Sequence, residues 1–417
     1  MKFSEYVVLS RPVAVMDPLG FLSPYSVLQD KLFRQFTVLS NHPSYHGLLC
    51  LVFQVLAERG VTPAKKDFAR AFRELEILWG MANVAAGAAV LNVTKYRLLL
   101  ESGEPVALAD IRRGHPVFQR LAYGTLGHYS SPSTFWGILG RSGLGLTDLG
   151  NDLGTSYDVR PNRSLRRALQ DWIRGAKAAH DLLEDIGKQF ALTAEPSRDE
   201  RATWRRIIAR YCESTPHAAV LWASPLRSAE LADFHVDAAA YSGFFPAVRA
   251  KYASLGAELL MMEQFELLSG IVQFVFEREY LACQYGASVP FPTGELEQQL
   301  ATELASLAAQ YTGGDGYADT KGLFQALGQV ASYREAADSI IQHHVRHQKS
   351  KGASPFLEDG ELLIRDRYRM QDFYPAYEEL RGSASWGERR ALLAYRYRRD
   401  WHFGRACTYH EYAGAQS

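Results

Sequence analysis

Three groups of residues in this sequence have the types and spacing that could do chemistry. In QHHVRHQKSKG, His343 and His347 stand one helical turn apart, and with His344 they form the best metal-ligand candidate. No third ligand lies nearby, and the glutamate of H-E-x-x-H is missing. A metal-dependent hydrolase centred on His343, His344 and His347 is therefore the lesser reading. The plainer one is histidines on a polar helix face, and a third is a polyanion contact through Arg346, His347, Lys349 and Lys351.

The second group is His402, Cys407 and His410, part of a zinc set without a second pair of ligands; a frayed C-terminal segment is the plainer expectation. The third is acidic. Glu258, Glu263, Glu266 and Glu277 invite a carboxylate-bridged di-iron reading, but that site needs E-x-x-H repeats, and none occurs. Glutamates at a core edge or on the surface are expected instead. Near the C-terminus Arg389, Arg390, Arg396, Arg398, Arg399 and Arg405 alternate with Tyr395, Tyr397 and Trp401. Such a run offers donors for phosphate and planes for stacking bases, and it reads equally as a protein interface.

Other signatures fail at identifiable positions. Gly143 and Gly145 begin a dinucleotide-binding glycine string, but position 148 is Asp. The nucleophile elbow breaks at Leu144, and no phosphate-binding G-x-x-x-x-G-K-[ST] is present. No catalytic residue and no cofactor is therefore assigned.

The elements that must position these groups are mostly helical. Phe68, Phe72, Leu75, Leu78, Trp79 and Ala82 recur at three- and four-residue intervals and predict a core-facing helix over 64–87. In 116–158, Ser131-Pro132 reads as a helix start with Gly143 as its C-cap, and Thr147 as the cap of another helix through Leu153. The helix over 132–141 offers a DNA groove only Arg141, so Phe135, Trp136 and Ile138 are read as core. Ser197-Arg198-Asp199-Glu200 matches a capping box. Helices are expected over 203–213, 226–242 and 246–285, the last broken near Gly256 or Gly270, and Glu295 and Glu297 suit a helix start. A short strand or arm is expected at 6–15, a linker at 311–322, and a small hairpin in SPFLEDGELLIRDRY. The resulting fold class is mainly α, multi-helical, with a winged-helix-like segment at 116–158 and a small C-terminal β-hairpin. Three domains are expected, at 1–160, 161–311 and 312–417.

Leu146, Thr147, Gly150 and Leu153 make an L-T-x-x-G-x-x-L string similar to one at the edge of the winged-helix fold in many bacterial proteins. With Asp17-Pro18-Leu19-Gly20 and the F-x-x-L-E pattern at Phe72, Leu75 and Glu76, about the first 190 residues resemble winged-helix-containing helical components of bacterial anti-phage defence systems. The resemblance implies a non-catalytic complex subunit that works beside a nuclease, an ATPase or another effector.

Bulk composition fits such a protein. Forty-six basic residues balance forty-six acidic ones, so any nucleic-acid contact must be local. Residues 158–210 hold twelve Lys/Arg against eight Asp/Glu, whereas 254–310 hold Arg278 against eight glutamates. The candidate nucleic-acid contacts are Arg141, Arg163, Arg166, Arg167, Arg346, Lys349, Lys351, Arg396, Arg398 and Arg399. A stand-alone nucleic-acid-binding protein is the alternative function. Cys50, Cys212, Cys283 and Cys407 are too scattered for a disulfide framework, and the first residues lack a secretory pattern. A cytoplasmic protein with protein partners and no membrane contact is expected.

Overall fold

The computed structural model describes residues 17–414 except 38, 112–114, 119–123, 142–144, 160–163, 224–235, 287–293, 312, 314–317 and 400. Among them are nineteen α-helices and two antiparallel pairs of two-residue strands, so the chain is mainly α. The strand or arm expected at 6–15, the Gly143 cap and most of the first part of helix 226–242 lie outside the described residues.

The chain divides into two compact units, 1–31 with 229–400 and 32–228 with 401–417. This differs from three consecutive domains, and the boundaries expected after 160 and 311 fall inside units. Helices on either side of the first pack together, and the Ser197 hydroxyl donates to the Ser156 carbonyl (3.4 Å). At the second, the Tyr311 ring meets Phe265 and Phe324, and residues 318–322 of the expected linker are helical. Local sequence pattern carries no record of such long-range packing.

Helix α1 (Leu22–Phe33), in which the division falls, starts where the Asp17 carboxylate accepts the amides of Phe21 (2.9 Å) and Leu22 (3.0 Å). The unit 32–228 with 401–417, rich in packed rings and here called the aromatic unit, contains α2 (Ser44–Glu58), α3 (Phe68–Ala85), α4 (Val93–Leu100), β1 (Val106–Ala107), α5 (Leu108–Ile111) and α6 (Thr125–Phe135). It continues through α7 (Asp148–Asp158), α8 (Leu165–Ile173), β2 (Lys177–Ala178), α9 (His180–Phe190), α10 (Arg198–Ser214) and α11 (Pro216–Ala223). Helix α2 is apolar nearly all round and is accordingly the buried centre, touched by α3, α6, α7 and α8. As the periodicity predicts, α3 turns Phe72, Leu75, Leu78 and Trp79 inward.

The segment 116–158 is built differently from its expected grammar. Ser131-Pro132 does not start a helix: α6 begins at Thr125, where Glu76 accepts both the Thr125 amide (2.7 Å) and its hydroxyl (2.6 Å), and Pro132 lies inside. A carboxylate from α3 thus does the work sought from Ser131. The helix ends at Gly137 (φ 71°), with the amides of Gly137 and Ile138 returning to Thr134 (3.1 Å) and Ser133 (2.8 Å). A single antiparallel bridge, Leu139 to Leu146, leads to α7. Thr147 caps α7 as expected, accepting the Gly150 amide at 3.2 Å. A Cβ at Gly150 would stand 2.3 Å from the Ile138 carbonyl, so the L-T-x-x-G spacing reflects a close approach.

The carboxylate unit, 1–31 with 229–400, contains α12 (Ala238–Lys251), α13 (Gly256–Tyr285), α14 (Glu295–Gln310), α15 (Ala318–Leu327), α16 (Tyr333–Ser350), β3 (Leu357–Glu358), β4 (Glu361–Leu362), α17 (Met370–Gly382) and α18 (Trp386–Arg396). The expected hairpin is β3–β4, with Leu357 opposite Leu362. Of the two breaks foreseen, Gly256 starts α13, whereas Gly270 stays within it. Helix α13 is long and apolar enough to cross a membrane by length and composition, with mean hydropathy 1.4, but 67% of that window is buried and α12, α14, α16, α17 and α18 pack on it. It is the core helix of its unit.

The chain then returns to the aromatic unit as α19 (Phe403–Tyr412). The expected fraying is corrected here: Phe403, Ala406, Tyr409 and Tyr412 are buried, and the Tyr409 ring stacks on Trp136 (5.6 Å, 10°). Their three-residue spacing puts them on one helix face.

Candidate functional site

The histidines of α16 are bonded to backbone. Because Leu19 offers a carbonyl, His343 Nε2 is the donor of that 2.9 Å bond. His344 is bonded at both ends: Nδ1 donates to the Pro18 carbonyl (2.8 Å), and Nε2 accepts the Phe356 amide (2.8 Å). This arrangement requires the neutral ring, and burial pushes the His344 pKa down to about 4. The His347 ring stacks parallel to His343 at 6.0 Å. His343 and His344 thus tie residues 18–19 and 356 to α16. No group of three or more His, Cys, Asp or Glu able to hold a metal is found among the described residues.

His402 and His410 are also core residues. Arg405 hydrogen-bonds His402 Nδ1, and burial together with the Arg405 charge lowers the His402 pKa to about 3. The His410 ring stacks on Trp222 at 4.8 Å.

The two most unusual charge patterns in the sequence turn out to be partners. Three of the eight glutamates in the acidic stretch 254–310 pair with arginines of α18 and the residues after it. Glu266, 1% exposed, accepts the Tyr241 hydroxyl (2.7 Å), the Arg399 amide (2.7 Å) and the Arg399 guanidinium (3.2 Å). Glu277 accepts the Tyr397 hydroxyl (2.9 Å) and the Gln273 amide (2.9 Å), with Arg396 at 3.8 Å. Arg390 meets Glu303 at 3.2 Å. Arg389 donates to the carbonyls of Leu380 (2.9 Å) and Ser383 (3.1 Å). Burial still raises the carboxyl pKa values of Glu266 and Glu277, so desolvation outweighs the arginines. Glutamates so engaged are not a di-iron set.

The candidate nucleic-acid contacts separate into two classes. Arg396 and Arg399 are bound to carboxylates as described, Arg166 pairs with Glu58 and lies 3.7 Å from Asp158, and Lys349 pairs with Glu358. Arg141, Arg167, Arg346, Lys351 and Arg398 are at least partly open to solvent, with Arg167 4.0 Å from Asp171 and Arg398 over the Tyr395 ring at 4.1 Å. Arg163 lies outside the described residues.

Two features had little or no voice in the sequence. One is a polar chain in the aromatic core: His46 bridges the Ser133 hydroxyl (2.7 Å) and the Tyr409 hydroxyl (2.9 Å), and Tyr412 donates to Glu200 (2.5 Å) beside Ser44 (2.9 Å). A histidine inside the apolar run SYHGLLCLVF was its available signal. The other is a cleft of about 200 Å³ in the carboxylate unit, between α12, α13 and α18. Its walls include Tyr241, Phe245, Glu263, Glu266, Leu267 and Arg390, residues gathered from stretches some 150 positions apart. No protein-family model, curated protein or solved structure matches the chain.

Proposed function

We propose that this chain is a non-catalytic subunit that docks partner proteins within a bacterial defence-type complex. The observation that carries the reading is the structural engagement of the groups suited to chemistry. His343 and His344 hold backbone, and Glu266 and Glu277 hold arginines and tyrosines. The resemblance of about the first 190 residues supplies the setting, with a nuclease, an ATPase or another effector as the partner. The winged-helix likeness of 116–158 belongs to this proposal, with protein contact as its role. Trp136 and Ile138 are buried there, while Phe135 is exposed, beneath the Arg34 guanidinium at 5.5 Å.

Nucleic-acid contact is the second reading, favoured by the solvent-facing cations Arg346 and Lys351 near the end of α16. It would weaken steeply with salt. Mass spectrometry of the protein purified from its own cells, with associated molecules retained, tests both. A partner protein at near-equal amount is expected; recovery of the chain alone would remove the docking reading.

A further inference from the structure

We infer that a hollow of the aromatic unit, between α10, α11 and the end of α19, binds a single-chain aliphatic carboxylate. The hollow measures about 540 Å³, within the range of ordinary ligand pockets, about 300–1,000 Å³. It exists because small residues stand where these elements converge: Ala209 on α10, Ala219 on α11 and Ala413 just past α19. Ile208, Val220 and Trp222 make the rest of the wall mostly apolar, and the Trp222 ring is stacked on His410 at 4.8 Å. An alkyl chain suits such walls because its burial is non-directional, each methylene taken from water tightening binding by up to about fourfold.

Charge selects the head group. Arg205 lines the hollow, and no aspartate or glutamate does. Its Nε donates to the Ala413 carbonyl at 2.8 Å, which anchors the guanidinium at the wall. On the same helix Arg201, Arg206 and Arg210 pair with Glu195, Asp152 and Glu213, whereas Arg205 has no carboxylate partner among the described residues. Its terminal nitrogens are therefore open to both oxygens of a ligand carboxylate, the pairing a guanidinium makes best. One guanidinium balances one negative charge, so a carboxylate fits better than a doubly charged phosphate. Cys212 also lines the hollow, and burial raises its thiol pKa, so it adds no charge of its own. This inference is independent of the docking reading.

Calorimetric titration of the full chain with decanoate, hexanoate and decylammonium tests it. Saturable binding of decanoate is expected, at least about tenfold tighter than that of the shorter acid or of the amine. Arg205→Gln should weaken decanoate roughly tenfold, and Arg205→Lys, which keeps the charge, should restore much of that loss. The place of binding is read from Cys212 without any variant. Saturating decanoate should slow its alkylation by N-ethylmaleimide several-fold, while Cys283, exposed in the carboxylate unit, reacts as before. No saturable decanoate binding, equal affinity for decylammonium, unchanged affinity in a folded Arg205→Gln protein, or unchanged Cys212 reactivity would overturn the proposal.

Discussion

The two units keep polar groups inside an apolar core with different mixtures of neutral and ionic partners. The aromatic unit buries an ion pair, Arg73–Glu76 at 2.8 Å, beside a neutral network in which His46 lies between two hydroxyls. The carboxylate unit relies on ions, with glutamates of α13 and α14 held by Arg278, Arg390, Arg396 and Arg399. Neutral networks are damaged by a proton, whereas ionic ones are damaged by loss of one partner. The difference therefore predicts different vulnerabilities.

Acid should separate the units most strongly. His42, His46 and His402 are buried or nearly so, with pKa values lowered from 6.5 to about 4, 3 and 3. Below pH 6.5 the unfolded chain takes up protons that the folded aromatic unit refuses. The stability these groups contribute is thus present above 6.5 and drains as pH falls towards 4. Each loses about 2 kcal/mol by a pH two units below 6.5, together a large share of a typical stability. In the carboxylate unit His344 acts in the same direction, but Glu263, Glu266 and Glu277 have raised values, so acidification relieves their desolvation. Six of the seven tryptophans, all but Trp386, lie in the aromatic unit. Tryptophan fluorescence should accordingly change at higher pH than helical circular dichroism. Coincident transitions would remove the distinction.

A second way to sharpen the contrast is to break one partner in each core. Glu266→Ala strands the Tyr241 hydroxyl and Arg399, and should cost about 3–5 kcal/mol in urea denaturation. His46→Ala leaves the Ser133 and Tyr409 hydroxyls short of a neutral partner, and about 2–4 kcal/mol is expected from the lost volume and bonds. A larger effect at His46 than at Glu266 would reverse the ranking. The smallest effect is local: Thr147→Ala removes the α7 cap and should lower stability by about 1 kcal/mol without altering the acid transition.

The parts of the fold legible in the sequence are those that short-range physics determines. The α3 stripe, the Thr147 cap and the β3–β4 hairpin depend on residues within a few positions of one another. So do the starts of α10 and α14, where Ser197 accepts the Glu200 amide (3.1 Å) and Glu297 accepts the Gly294 amide (2.8 Å). Ser131-Pro132 misled because the cap of α6 comes from Glu76 on another helix. The partners of the arginines after position 386 were invisible for the same reason, since their carboxylates lie about 90 to 130 residues earlier. Residues 403–412 did carry a burial signal, the spacing of Phe403, Ala406, Tyr409 and Tyr412, outweighed in a local reading by terminal position and charge. The cleft had no local signature, because its walls meet only after α12, α13 and α18 pack.

That the C-terminal arginines serve the fold is tested most directly by urea denaturation of Arg399→Gln beside Arg398→Gln. These neighbours differ in burial and partner: Arg399 holds Glu266 at 3.2 Å, and Arg398 is exposed. Arg399→Gln should lower stability by about 2 kcal/mol or more, and Arg398→Gln by less than about 0.5 kcal/mol. Equal and negligible losses from the two substitutions would contradict it.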